Sequence, residues 1–113
     1  MFEVELVHGV PEVKAESLKE YLGQVLLIDV RRPEEFTGEL GHIENAQLVT
    51  LGPDLQTFLE QNELKEKEIV FICRSGARSA QATMSSQQLG FKKVYNLQGG
   101  MLRWNELQLP TLK

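Results

Sequence analysis

The sequence predicts an α/β protein: a five-stranded, mostly parallel sheet with helices on both faces. Three observations predict it. Residues 25–29 and 69–72 hold short apolar runs, and such two-sided apolarity marks strands covered on both faces. Segments of this kind alternate with segments of helical periodicity, the order that builds parallel sheets. At 113 residues the chain can bury a core for one domain but not for two, so a single domain over 1–113 is expected.

Taken in order, residues 10–13 (Val-Pro-Glu-Val) read as a short edge strand, where proline is tolerated. The stretch before them carries the least signal. Residues 16–22 read as a helix with Leu18, Tyr21 and Leu22 on one face, stopped near Gly23. The strand 25–29 ends on Asp29. A short helical turn over 31–36 follows, with Pro33 at a first-turn position and Phe36 expected to be buried. A glycine-containing loop, 37–45, carries His42. Residues 46–51 read as the third strand, and 53–60 as a helix whose Leu55, Phe58 and Leu59 share a face. The charged stretch 62–67 reads as a solvated turn. Beyond the strand 69–72, a helix over 78–89 carries Ser79, Ala82 and Ser86, small enough to lie close to a sheet, and Gly90 ends it in a left-handed cap. Residues 94–97 are the fifth strand. Gly99-Gly100 then leads into a last helix, 101–106, whose Trp104 is assigned to the core.

Composition excludes several classes of function. A net charge of −4 argues against a general nucleic-acid or membrane-surface binder. The single cysteine cannot make an internal disulfide, so nothing points to an oxidising compartment. Met1-Phe-Glu-Val-Glu-Leu lacks the basic start and apolar run of a signal peptide, and no segment approaches the roughly 18 apolar residues that span a bilayer. A cytoplasmic protein is expected, with no nucleic-acid or membrane partner.

The chemistry concentrates in Cys73-Arg-Ser-Gly-Ala-Arg-Ser79, where a strand stops on the only cysteine and a helix begins. The first turn of a helix leaves N–H groups without partners at the positive end of its dipole, which favours bound anions. A loop whose amides from Arg74 through Ser79 curl around Cys73 favours thiolate over thiol; helix N-termini and nearby arginines lower cysteine pKa values from about 8.5 to roughly 3.5–7.5 in known cases. Gly76 suits the curl. Arg74 and Arg78 add permanent positive charge and planar donors for an oxyanion. The reading is a nucleophile in an anion cradle formed by Arg74, Ser75, Gly76, Ala77, Arg78 and Ser79.

At these residues the chain resembles the rhodanese-like family of single-domain sulfurtransferases, whose active-site loop follows a Cys-x-x-Gly-x-Arg-Ser pattern. Asp29-Val-Arg-Arg-Pro-Glu-Glu-Phe36, Gly41-His-Ile43 with Ala46, and Gly99-Gly-Met-Leu-Arg-Trp104 extend the resemblance, in order and spacing, over nearly the whole chain. It implies a rhodanese-like fold. It also implies transfer of a sulfane sulfur from thiosulfate or a persulfide through a Cys73 persulfide. A small anionic donor is implied, with cyanide, a thiol or a protein as acceptor. Without a second cysteine, the sulfur must leave to an outside acceptor. No cofactor and no metal are expected.

Arg78 is the first choice for the donor's oxyanion end and Arg74 the second, with a solvent-facing role as Arg74's alternative. Asp29 is read as structural, bonding loop amides or arginine side chains, and His42 as an organiser of its loop rather than a base. Arg31 and Arg32 either extend a positive rim or are solvated, and Glu35 is read as surface. The chain has Glu44 and Asn45 where the family commonly has proline and glycine, which puts the turn beside His42 in question. Two alternatives accompany the enzyme. One is a non-catalytic sulfur carrier or regulatory binding module. The other is a cysteine phosphatase, which needs arginine at the sixth position after the cysteine, where this chain has Ser79.

Overall fold

The computed structural model describes residues 3–113; Met1 and Phe2, the start of the expected 1–113 domain, lie outside the described residues. Among the described residues six strands form one sheet: β1 (Val4–Val7), β2 (Val10–Val13), β3 (Leu26–Asp29), β4 (Gln47–Leu48), β5 (Ile69–Ile72) and β6 (Val94–Leu97), in the order β1-β2-β6-β5-β3-β4. All neighbours are parallel except β1 and β2.

The sixth strand corrects the expected count of five. Residues β1 and β2 flank His8 and Gly9, both with positive φ (52° and 82°), the backbone of a two-residue hairpin turn. The hairpin puts β1 at the edge, so β2 is an interior strand and not the edge strand expected. Pro11 is tolerated there because β2 pairs with β6 only at Glu12 and Val13.

Period-two alternation sorts the core onto two faces. Ile69, Phe71 and Cys73 fall on one side with Leu55, Phe58 and Ala82 of helices α3 (Pro53–Phe58) and α4 (Ala77–Gln88). Val70 and Ile72 fall on the other with Ala15 and Leu18 of α1 (Ala15–Leu18), and Met101 and Trp104 of α5 (Gly100–Glu106). Helices thus cover both faces. Trp104 is fully buried, and its Nε1–H donates to the Pro110 carbonyl at 2.9 Å, so the indole is buried without an orphaned donor.

Some elements differ from expectation. Helix α1 stops at Leu18, because Tyr21 N donates to Leu18 O and Gln24 N to Tyr21 O; these tight turns still bring Tyr21 and Leu22 to the core. Helix α2 is Pro33–Phe36. Its Phe36 is only partly buried, with its ring stacked on His42. Strand β4 is two residues long, although Val49 N and Leu51 N continue alongside β3 by donating to Asp29 O and Val30 O. Gly90 ends α4 at φ 95°, as a left-handed cap should.

Sheet order positions the site. The chain leaves β3 toward β4 on one side and leaves β5 toward β6 on the other. A crevice opens where adjacent strands send their connections in opposite directions. Asp29 and Ile72 are register partners at the carboxyl ends of β3 and β5, so Asp29 and Cys73 flank that crevice. No described helix is long and apolar enough to cross a membrane.

Candidate active site

Cys73 follows the last residue of β5 and is 1% exposed. Its Sγ accepts a hydrogen bond from Gly76 N at 3.1 Å, and Ser79 Oγ lies 3.2 Å away. Gly76 can turn its amide back to the sulfur because its φ is 105°, a conformation that side chains resist. The amides of Arg74, Ser75, Ala77, Arg78 and Ser79 have no protein acceptor among the described residues, as expected of a loop entering a helix N-terminus. Arg74, Ser75 and Ala77 are exposed, while Arg78 is partly buried.

Two elements fix the loop. From above, the first turn of α5 donates Met101 N to Cys73 O and Leu102 N to Arg74 O, each at 2.9 Å. A trans peptide places its N–H opposite its C=O. Pointing these carbonyls at α5 therefore turns the amides of Arg74 and Ser75 the other way. Gly100 permits the approach: a Cβ there would strike Cys73 O and lie 2.6 Å from Arg74 O.

From the side, a buried polar chain holds Ser79. Asn96 Nδ2 donates to Glu12 Oε2 at 2.8 Å and to Gly76 O at 3.1 Å. Both partners only accept, which fixes the amide and leaves Asn96 Oδ1 to accept from Ser79 Oγ. The single hydroxyl proton of Ser79 is thereby committed to Asn96. Sequence reading missed Asn96 and Glu12. The available signal was a polar residue on the same strand face as Val94, facing α4.

The second segment is the end of β3 with α2. Asp29 is fully buried and Arg31 is 1% exposed. Arg31 Nε donates to Asp29 Oδ1 at 2.9 Å and Nη2 to Oδ2 at 2.8 Å, while Nη1 also donates to Glu35 O and Nη2 to Gly41 O. Arg31 is therefore neither a rim charge nor solvated: it ties α2 and the following loop to the strand end. Their two-residue spacing in extended chain puts both side chains on one side, a signal available in the sequence.

Glu35, read as surface, is instead bonded to the Cys73 loop. Its carboxylate takes Arg78 Nη1 at 2.8 Å and Nη2 at 2.9 Å, in a bidentate pair. It also accepts Arg32 N at 3.1 Å. The bond to Arg78 holds the Glu35 carboxyl down to about 2, against opposing burial. The same bond raises the Arg78 pKa, with the charges of Glu35, Cys73 and Asp29 adding to it. The partners lie 43 residues apart, so no local pattern reveals the pair.

His42 is bonded within its own segment. Its Nδ1 lies 2.9 Å from the Phe36 carbonyl, which only accepts, so that nitrogen carries the proton. Its ring stacks on Phe36 with centroids 3.8 Å apart. The neighbouring turn is intact: Ala46 N donates to Ile43 O, and Asn45 takes φ 72°, a left-handed conformation that asparagine tolerates better than most side chains. A cavity of about 190 Å³ opens beside the loop, lined by Arg31, Glu34, Glu35, Gly38, Glu39, Leu40 and Arg74.

Known proteins share this architecture. The family model described as Rhodanese-like domain matches residues 14–107. A sulfurtransferase of Allochromatium vinosum is 38% identical, over 91% of this chain and 95% of its own. The thiosulfate sulfurtransferase GlpE of Vibrio cholerae is 32% identical, over 77% of this chain and 78% of its own. Among solved structures, the human single-domain sulfurtransferase TSTD1 superposes with a TM-score of 0.75 at 29% identity, covering 87% of this chain and 97% of its own.

Proposed function

Because this chain belongs to the rhodanese-like domain family, we propose that it is a sulfurtransferase that carries sulfane sulfur as a persulfide on Cys73. The observation that carries the reading is Cys73 Sγ at the end of β5, bonded by Gly76 N and followed by a run of amides without acceptors among the described residues. In the forward step the Cys73 thiolate attacks the outer sulfur of thiosulfate or of a persulfide. A new S–S bond forms, the donor's S–S bond breaks, and its electron pair leaves on sulfite or on a thiolate. A thiol, a protein thiol or cyanide then takes the sulfur and regenerates the thiolate, so two easier steps replace one difficult one.

The free amides of the loop are the groups suited to stabilise charge on the terminal sulfur, each worth on the order of 3 kcal/mol where such donors have been measured. Arg74 and Arg78 are the groups for an oxyanion end of the donor: Arg74 is exposed and unpaired among the described residues, and Arg78 shares its charge with Glu35. Asp29 and His42 act through structure, holding Arg31 and the 37–42 loop. A cytoplasmic setting suits a chain whose one cysteine has to remain a free thiol.

The test is Cys73→Ser. Sulfur transfer from thiosulfate to cyanide should disappear while the thermal unfolding midpoint stays within a few degrees; transfer surviving in the folded variant refutes the mechanism.

A further inference from the structure

We propose that Glu35 is a specificity-determining residue: by neutralising Arg78 it turns the site away from dianionic sulfur donors and toward sulfane donors that carry at most one negative charge. The inference rests on the sulfurtransferase reading above and deepens it.

Four arginines stand on the two segments that frame Cys73, and three of them are matched. Arg31 pairs with Asp29 at 2.8 Å, Arg32 with Glu34 at 3.2 Å, and Arg78 with Glu35 at 2.8 Å. Arg74 alone has no carboxylate partner among the described residues. The matched pairs are unequal. Arg32 and Glu34 are about two-thirds exposed, so their attraction is weak and screened. The Arg78 pair is half-sheltered and bidentate, and Glu35 is held from a second side by Arg32 N.

The charge of Cys73 also acts on Arg78, adding to the rise of its pKa. An incoming anion therefore meets the Arg78–Glu35 pair as a dipole of no net charge, with Glu34 and Glu39 in the wall of the adjoining cavity. Thiosulfate brings two negative charges and finds one unmatched cation, Arg74. A hydropersulfide brings one at most, as R–S–S⁻, and none as the protonated R–S–SH that the thiolate attacks. With it the balance is simple. The Cys73 thiolate bonds to the outer sulfur of R–S–SH, the donor's S–S bond breaks, and the thiolate R–S⁻ leaves and takes the proton. The product is the Cys73 persulfide anion, and no oxidant enters.

The experiment measures persulfide formation on Cys73 by mass, against the concentration of two donors, thiosulfate and 2-hydroxyethyl hydropersulfide. In Glu35→Gln the ratio of kcat/KM values, thiosulfate over hydropersulfide, should rise at least tenfold, carried by a lower KM for thiosulfate. Adding Arg78→Gln to that variant should bring the ratio back toward that of the unmodified protein. Should Glu35→Gln alone fail to fold, the double variant is compared with Arg78→Gln, in which the Glu35 carboxylate stands without its arginine: removing that carboxylate should raise the ratio at least tenfold. A ratio unchanged, or moved the opposite way, in a folded variant overturns the role of Glu35 while leaving sulfur transfer standing. Absence of any Cys73 persulfide from either donor in the unmodified protein overturns sulfur transfer itself, and the specificity with it.

Discussion

Ser79 stands 3.2 Å from the Cys73 sulfur, yet its proton is directed elsewhere. Because Asn96 is oriented by two acceptors, Ser79 must donate to Asn96 and present only a lone pair to Cys73. Ser79→Ala should therefore alter the alkylation rate of Cys73 by no more than about threefold. It should lower stability by about 1–3 kcal/mol, since it orphans a buried Asn96 oxygen. Chemical denaturation and iodoacetamide kinetics check both; a tenfold loss of reactivity without loss of stability would make Ser79 a donor to the sulfur. At this scale the candidate loop was legible, because one cysteine at a strand end beside arginines and a glycine stands out in the sequence. Glu35, Asn96 and Glu12 were not, because their partners are brought together only by the sheet and α2.

Gly99-Gly100 reads in the sequence as a turn before a helix. In the fold it is what lets α5 seat its first N–H groups on the carbonyls of the Cys73 loop. Gly100→Ala would force a Cβ against two carbonyl oxygens at φ 55°, a conformation most side chains resist. The cost should be at least about 2 kcal/mol, from overpacking and backbone strain together. The unfolding midpoint should fall by roughly 8 °C or more, and sulfur transfer should fall with it. A midpoint within two or three degrees of the parent would mean that α5 does not hold the loop. Most elements were legible from apolar runs and caps, α3 and α4 among them. The hairpin strand β1 was not, since Val4 and Leu6 are exposed on an edge and leave no buried face to read. The length of α1 was missed because Tyr21 and Leu22 reach the core through turns that mimic helical spacing.

Across the whole molecule, two helix-covered faces and a reversal of strand order bring the Cys73 loop beside α2, and the Arg78–Glu35 pair ties them. That tie has a pH signature. The Glu35 carboxyl is lowered from its ordinary 4.5 to about 2 in the folded protein, so its stabilisation is complete above about 4.5 and is lost as pH falls toward 2. Between those limits the unfolding midpoint of Glu35→Gln should fall less steeply with acid than that of the parent; parallel curves would deny the pair a stabilising role. The α/β class followed from alternation, whereas the order β1-β2-β6-β5-β3-β4, and with it the crevice, depends on contacts that no sequence window contains. The central claim, that this crevice loads sulfur onto Cys73, is tested most directly by intact mass after brief exposure to thiosulfate or 2-hydroxyethyl hydropersulfide. A gain of one sulfur, roughly 32 Da, that cyanide removes and Cys73→Ser lacks is the predicted result. An unchanged mass with both donors, in protein whose Cys73 still alkylates, would contradict it.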